Sequence, residues 1–188
     1  ANSKLIDTMF SADHNKANMT NILAMNRTLR AHKTMRTTES FGDIPFSEAG
    51  YAIYGTSYYK PKYDSQEDVY KACINDLKWA VDNFSTSADQ VKLGSSETFL
   101  NDNIDMWKKF ANSLRLRYAV TMYDKDPAFA GTQIAEAMSK PLLADGENMG
   151  LWPADIPGLV FDMHAWSFSA NQYIRLGTTM WDEMSNND

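Results

Sequence analysis

The chain has one cysteine in 188 residues, Cys73. A lone thiol forms no intramolecular disulfide, and a zinc site made of thiolates is excluded with it. Set within a helical apolar stripe, Cys73 reads as a small buried hydrophobe. Positive charge is also in deficit: 18 lysines and arginines stand against 24 aspartates and glutamates, a formal net charge of -6. That balance argues against a nucleic-acid partner, because no basic face is available to neutralise phosphates. No polybasic segment exists to hold an anionic membrane surface. No apolar run approaches the roughly 20 residues that cross a bilayer as a helix. The glycine motifs that cradle phosphate are missing, as is a Gly-x-Ser-x-Gly nucleophile elbow. The three histidines, His14, His32 and His164, share no ligand-like spacing. Asp162 and His164 in "DMH" supply two donors, too few for a metal site. No catalytic set, metal or cofactor is expected.

What is present is apolar and aromatic. At 44% hydrophobic and 12% aromatic residues the chain can bury a real core, which sets it apart from disordered compositions. From Ala17 to about Thr38 the spacing of Ile22, Met25, Leu29 and His32 predicts a helix. "FGDIPFSEAG" (41–50) ends it: Gly42 supplies a permissive backbone and Pro45 biases Ile44 away from helix. Phe41, Ile44 and Phe46 are expected to pin this corner to the core. A tyrosine-rich loop, "YAIYGTSYYKPKYD", follows with Gly55 and Pro61 as breakers. Ser65, with Asp68 three residues on, opens a second helix, whose stripe is Val69, Cys73, Leu77, Ala80 or Val81, and Phe84. Asn103 or Asp105 caps a third, with Trp107, Phe110, Leu114, Tyr118 and Met122 on one face and Lys108, Lys109, Arg115 and Arg117 mostly on others. Asp126-Pro127 starts a shorter helix through Ile134, Ala137 and Met138, ending by Pro141.

From Leu142 to about Asn171 the helical period fails, and a last helix is expected over about 172–185. Long irregular stretches in compact proteins usually serve a site. This one holds the acids Asp145, Glu147, Asp155 and Asp162, which a helical glycosidase would need in a converging pair. "NDNID" (101–105) has oxygen-rich spacing suited to calcium and is more simply a helix cap. Aromatic residues outside the helical stripes are the other candidates: Tyr51, Tyr54, Tyr58, Tyr59, Trp152, Trp166, Phe168 and Tyr173. A flat ring stacks on the apolar face of a sugar while neighbouring amides and acids hydrogen-bond its hydroxyls. Trp166 leads among them, because His164, Ser167, Ser169, Asn171 and Gln172 surround it; the competing reading makes it a core ring. Trp152, Phe168, Tyr58 and Tyr59 complete the candidate ligand-binding set.

Three blocks, in order and spacing, resemble the SusD/RagB family, and within it the starch-binding outer-membrane lipoproteins. They are "FGDIPFSEA", "PKYDSQEDVYKACINDLKWAVDNF" and "DMWKKFANSLRLRYAV". Phe41, Gly42, Asp43, Pro45, Ser47, Glu48 and Ala49 fit the first; Pro61, Tyr63, Asp64, Gln66, Glu67 and Tyr70 the second. Trp107, Lys109, Phe110, Ala111, Asn112, Ser113, Leu114, Arg115 and Arg117 fit the third. The resemblance implies a mainly α fold of tetratricopeptide-like helix pairs with long irregular loops, 1–188 being one domain fragment with its helical scaffold over about 4–140. It implies that the corner is structural, and that the protein is a non-catalytic, surface-exposed or periplasm-exported lipoprotein of the outer membrane. Such a protein captures glycan, or sometimes peptide, and delivers it to a SusC-like TonB-dependent transporter. "ANSKLIDTMF" lacks the basic and apolar regions of a signal peptide, and no lipid-bearing cysteine is present, so the chain reads as a central piece. A helical-repeat module binding peptide in its concave face is the alternative, ahead of a helical glycosidase.

Overall fold

Apolar stripes of period 3.6 become four successive α-helices: α1 (Thr20–Phe41), α2 (Gln66–Asn83), α3 (Ile104–Met122) and α4 (Pro127–Met138). They belong to a computed structural model that describes residues 16–150 together with Ser3, Ile6, Asp7 and Thr178. The chain divides into two compact units, Ala1–Gly150 and Leu151–Asp188, and all four helices lie in the first. Each helix packs on the next, and α1 also touches α3. The fold is mainly α and built of tetratricopeptide-like helix pairs, as the resemblance implies. Residues 142–150 are irregular, as expected. The rest of the expected irregular stretch lies outside the described residues, as does the helix expected over about 172–185 apart from Thr178, which is helical.

α2 follows its sequence closely. Ser65 is its N-cap: the Oγ accepts from the Asp68 N–H at 3.1 Å and donates to the Asp68 carboxylate at 2.7 Å. Glu67 and Asp68 place negative charge at the positive end of the helix dipole. Val69, Cys73, Leu77, Ala80 and Val81 are fully buried and Phe84 nearly so, each large side chain contributing about 1.5–3 kcal/mol by leaving water.

α1 corrects its sequence reading. Its buried face is Asn21, Ala24, Met25, Thr28, Ala31, Met35 and Thr38. Ile22, Leu29 and His32 are only half-buried. Small side chains line the seam with α2 and the Thr28 hydroxyl is satisfied by the Ala24 carbonyl at 2.8 Å, so hydroxyl-bearing residues go inside without an unmet polar group. Charge closes the edge of the seam. Arg30 bonds Asp76 at 2.7 Å and also pairs with Asp7, while Arg27 stacks over the Trp79 ring at 4.1 Å.

α3 is capped by Asn103, whose side chain accepts from the Met106 N–H at 3.1 Å. Trp107, Leu114, Tyr118 and Met122 are buried and Phe110 packs partly against them. Arg115 departs from expectation: it is fully buried rather than on an outer face. α4 covers it and supplies its partners. Arg115 Nε and Nη2 both donate to Gln133 Oε1, at 2.9 and 2.6 Å, and Nη2 also reaches Glu136. Buried Asn112 donates to the Ala137 and Pro141 carbonyls at 3.0 Å, tying α3 to the end of α4 and the chain that leaves it. Asp126 caps α4 through the Phe129 N–H, with Pro127 in the first turn. Its inner face is Ala130, Gln133 and Ala137, while Met138 is 63% exposed.

Candidate functional site

The corner after α1 ends the helix as its glycine requires. Gly42 has φ 73° and ψ -128° and donates to the Thr38 carbonyl at 2.8 Å. Phe41, expected to pin the corner, is 78% exposed because α1 runs on to that residue and turns it outward; Ile44 and Phe46 root the corner in the core instead. Ile44 then forms an isolated antiparallel bridge with Asp64, with N···O distances of 3.2 and 2.9 Å. The Asp64 carboxylate accepts from the Phe46 N–H at 3.0 Å, the Ser47 N–H at 2.7 Å and the Ser47 hydroxyl at 2.8 Å. Partial burial alone would raise the Asp64 carboxyl, but the Ser47 and Phe46 donors, with Lys62, bring it down to about 2. Glu48 accepts from the Lys62 N–H and Asp43 from the Gln66 N–H, both at 2.9 Å. The first two sequence blocks are therefore hydrogen-bonded to one another.

Between them runs the tyrosine-rich segment, folded as two short 3₁₀ helices, Tyr51–Tyr54 and Thr56–Tyr58, instead of featureless loop. Gly55, at φ 132° and ψ 176°, separates them in a backbone region that side chains disfavour. The rings of Tyr51, Tyr54 and Tyr58 contact one another with centroids 5.9–6.3 Å apart, edge-on or tilted. Tyr54, Tyr58, Tyr59 and Tyr63 are 59%, 42%, 65% and 71% exposed, with Ile53 beside them at 67%. These rings face largely into solvent, and Tyr54 and Tyr58 adjoin each other. Tyr58 and Tyr59, neighbours in the chain, are both exposed. Trp152, Trp166, Phe168 and Tyr173 lie outside the described residues.

The acids singled out from sequence divide. Glu147 accepts from the Ala144 N–H at 2.8 Å and pairs with Lys109; the Ala144 N–H first, then Lys109, hold its carboxyl below the usual range. A carboxylate held ionised is in the wrong state to donate a proton at neutral pH. Asp155 and Asp162 lie outside the described residues. In "NDNID", Asn103 caps α3 while Asp102 accepts from the Leu93 and Gly94 N–H groups, so these oxygens serve the backbone. Among the described residues no group of three His, Cys, Asp or Glu is arranged to hold a metal. No helix among them is long and apolar enough to cross a membrane. His32 Nδ1 lies 3.0 Å from the Tyr118 hydroxyl within the helical pack.

A cleft of mixed lining opens beside the corner. It encloses about 490 Å³ between the start of α2 and the end of α3, lined by Asp43, Ser65, Gln66, Glu67, Tyr70, Thr121, Met122 and Lys125. The residues that sequence reasoning left without a role are Asp43, Glu48 and Asp64. Their only signal was recurrence inside the matched blocks.

Comparison with known proteins agrees with this geometry. A family model described as SusD-like, starch-binding associating with outer membrane, matches residues 2–188. Among solved structures, the chain is 33% identical to the Bacteroidetes AC2a SusD-like protein, with a TM-score of 0.61, covering 77% of this chain and 25% of that one. A chitin-binding protein matches at 29% identity and a TM-score of 0.65 over 78% of this chain and 30% of that one. A chitin-binding SusD homolog from Flavobacterium johnsoniae matches at 26% identity and a TM-score of 0.60, over 69% and 27%. The chain spans 25–30% of the length of these structures. No curated protein matches it. With the family model extending over nearly the whole sequence and these helices superposing on its solved members, the chain belongs to the SusD-like family.

Proposed function

We propose that the protein binds oligosaccharide at the outer membrane, leaves it chemically unchanged, and hands it to a SusC-like TonB-dependent transporter. The observation that carries this reading is the tyrosine patch. Four rings, Tyr54 and Tyr58 on short 3₁₀ turns and Tyr59 and Tyr63 in the chain just after them, are exposed in a family described as starch-binding. Soluble domains seldom leave so many large rings together in water without a partner, and a ring face with a phenolic hydroxyl suits a sugar. The chitin-binding relatives support the same ligand class. Tyr58 and Tyr59 are the contacts within the described region; Trp166, Trp152 and Phe168 are the further candidates. The protein is anchored as a lipoprotein in this reading, and no step of chemistry is assigned to any residue.

The test is titration of the protein with maltoheptaose and chitohexaose by calorimetry, with product analysis of the same mixtures. Saturable binding without shortened sugars is the expected result. Hydrolysis that disappears on replacing Asp145 or Glu147 overturns the reading, as does binding of peptides with no affinity for either sugar.

A further inference from the structure

The tyrosine patch poses a mechanical problem. No side chain from residues 49–63 is fully buried, Tyr51 being half-buried, so the segment has little apolar root of its own. The rings of Tyr51, Tyr54 and Tyr58 contact one another edge-on or tilted. Short exposed turns of this kind are ordinarily mobile, and a mobile platform loses affinity to the ordering that binding demands. Polar ties hold the segment at its two ends. Ile44 and Phe46 are anchored in the core. Asp64 joins them across the loop by its backbone bridge and by three bonds to Phe46 and Ser47. Inside that bridge, Glu48 takes the Lys62 N–H at 2.9 Å, closing the loop a second time.

We infer that Asp64 and Glu48 are positioning residues for ligand binding: their carboxylates clamp both ends of the tyrosine segment and hold its rings ready for a sugar. The inference rests on the oligosaccharide-binding reading above and adds how the site is kept in shape. The clamp is not part of the helical core, since Glu48 bonds a single backbone N–H near the surface. Its loss therefore loosens the rings and leaves the helices standing.

The experiment compares the intact chain with Asp64→Ala, Glu48→Ala, Glu48→Gln and Tyr58→Ala. Each is titrated with maltoheptaose and chitohexaose, melted by far-UV circular dichroism, and scanned without sugar in the near-UV, where ordered tyrosines give a signal. Asp64→Ala is expected to weaken binding at least about tenfold and Glu48→Ala about threefold or more, with the near-UV tyrosine signal reduced in both. Glu48→Gln keeps an acceptor for the Lys62 N–H and is expected to bind as the parent does. Should Asp64→Ala fail to fold, Glu48→Ala against Glu48→Gln still decides. Parent-like binding and near-UV signal in Glu48→Ala overturn the clamp while leaving the functional reading intact. A parent protein that binds neither sugar overturns the functional reading itself, and the positioning role with it. Loss of affinity accompanied by loss of the helical melting transition shows a fold effect and overturns the assignment.

Discussion

α2 and the tyrosine segment just before it are built on opposite terms. In α2 the large side chains at positions 69, 73, 77 and 81 are removed from water completely, and the helix is held by area buried. In residues 49–63 nothing is fully buried, and shape comes from glycine-permitted backbone, ring-on-ring contact and two carboxylates. One region is specified by what it hides and the other by how its ends are tied. Truncating a side chain should therefore have opposite consequences in the two: lost stability in the first, lost affinity in the second.

Trp107→Ala is the most severe way to probe the helical side. Trp107 is 1% exposed and meets Phe99 and Phe110 edge-on, at 6.1 and 6.3 Å. Its removal should cost about 3–5 kcal/mol in chemical denaturation; a cost under about 1 kcal/mol would mean the α3 stripe is not the core. Gly42→Val tests the hinge between the regions. A Cβ there meets nothing within 4 Å, so the penalty is backbone strain alone, about 1–3 kcal/mol. If that variant melts like the parent but no longer binds sugar, the corner is part of the site and not only a support.

Acid separates the regions by charge. Asp64 is held at about 2, below its ordinary value of 3.8. Glu136 is held at about 2 against 4.5 by Lys78 first and Arg115 second. A depressed carboxyl stabilises the fold fully above its unfolded value and loses that contribution as pH falls through the folded one. Melting temperature should stay level from neutral pH to about 5 and then fall toward pH 2. The combined loss is about 1 kcal/mol once solvent screening at these surface sites is counted. The near-UV tyrosine signal should fade in the same window, through Asp64. Smallest in stability are Tyr58→Ala and Tyr59→Ala, expected within about 0.5 kcal/mol of the parent while weakening oligosaccharide binding about tenfold or more. A large drop in melting temperature for either would place its ring in the core and dissolve the contrast.

Legibility in the sequence followed the same divide. The α2 stripe could be read directly, because its residues are large, apolar and evenly spaced. The α1 face could not: Ala24, Thr28, Ala31 and Thr38 carry little hydrophobic signal, and their burial depends on α2 packing against them. Arg115 looked like an outer-face cation because its partners, Gln133 and Glu136, arrive on a different helix. Phe41 looked like an anchor because aromaticity says nothing of which way the last helical turn faces. At the site, tyrosines outside helical stripes were visible as candidates, and Tyr58 and Tyr59 are both exposed. The carboxylates that restrain them were not visible as such, since an acid accepting backbone N–H groups across a loop resembles any solvated acid in a sequence.

The burial of Cys73 gives the molecule a clock. Its thiol is enclosed between helices, and burial first, with Asp76 adding to it, pushes its pKa up to about 12, so a thiol-reactive dye finds no thiolate in the closed protein. As the chain has no other cysteine, labelling marks only those molecules whose helices have parted, and its rate counts the openings. A second cysteine placed by Ser57→Cys, on the exposed tyrosine segment, would label at once. The ratio of the two rates would time the parting of the helices against an always-open reference in a single tube.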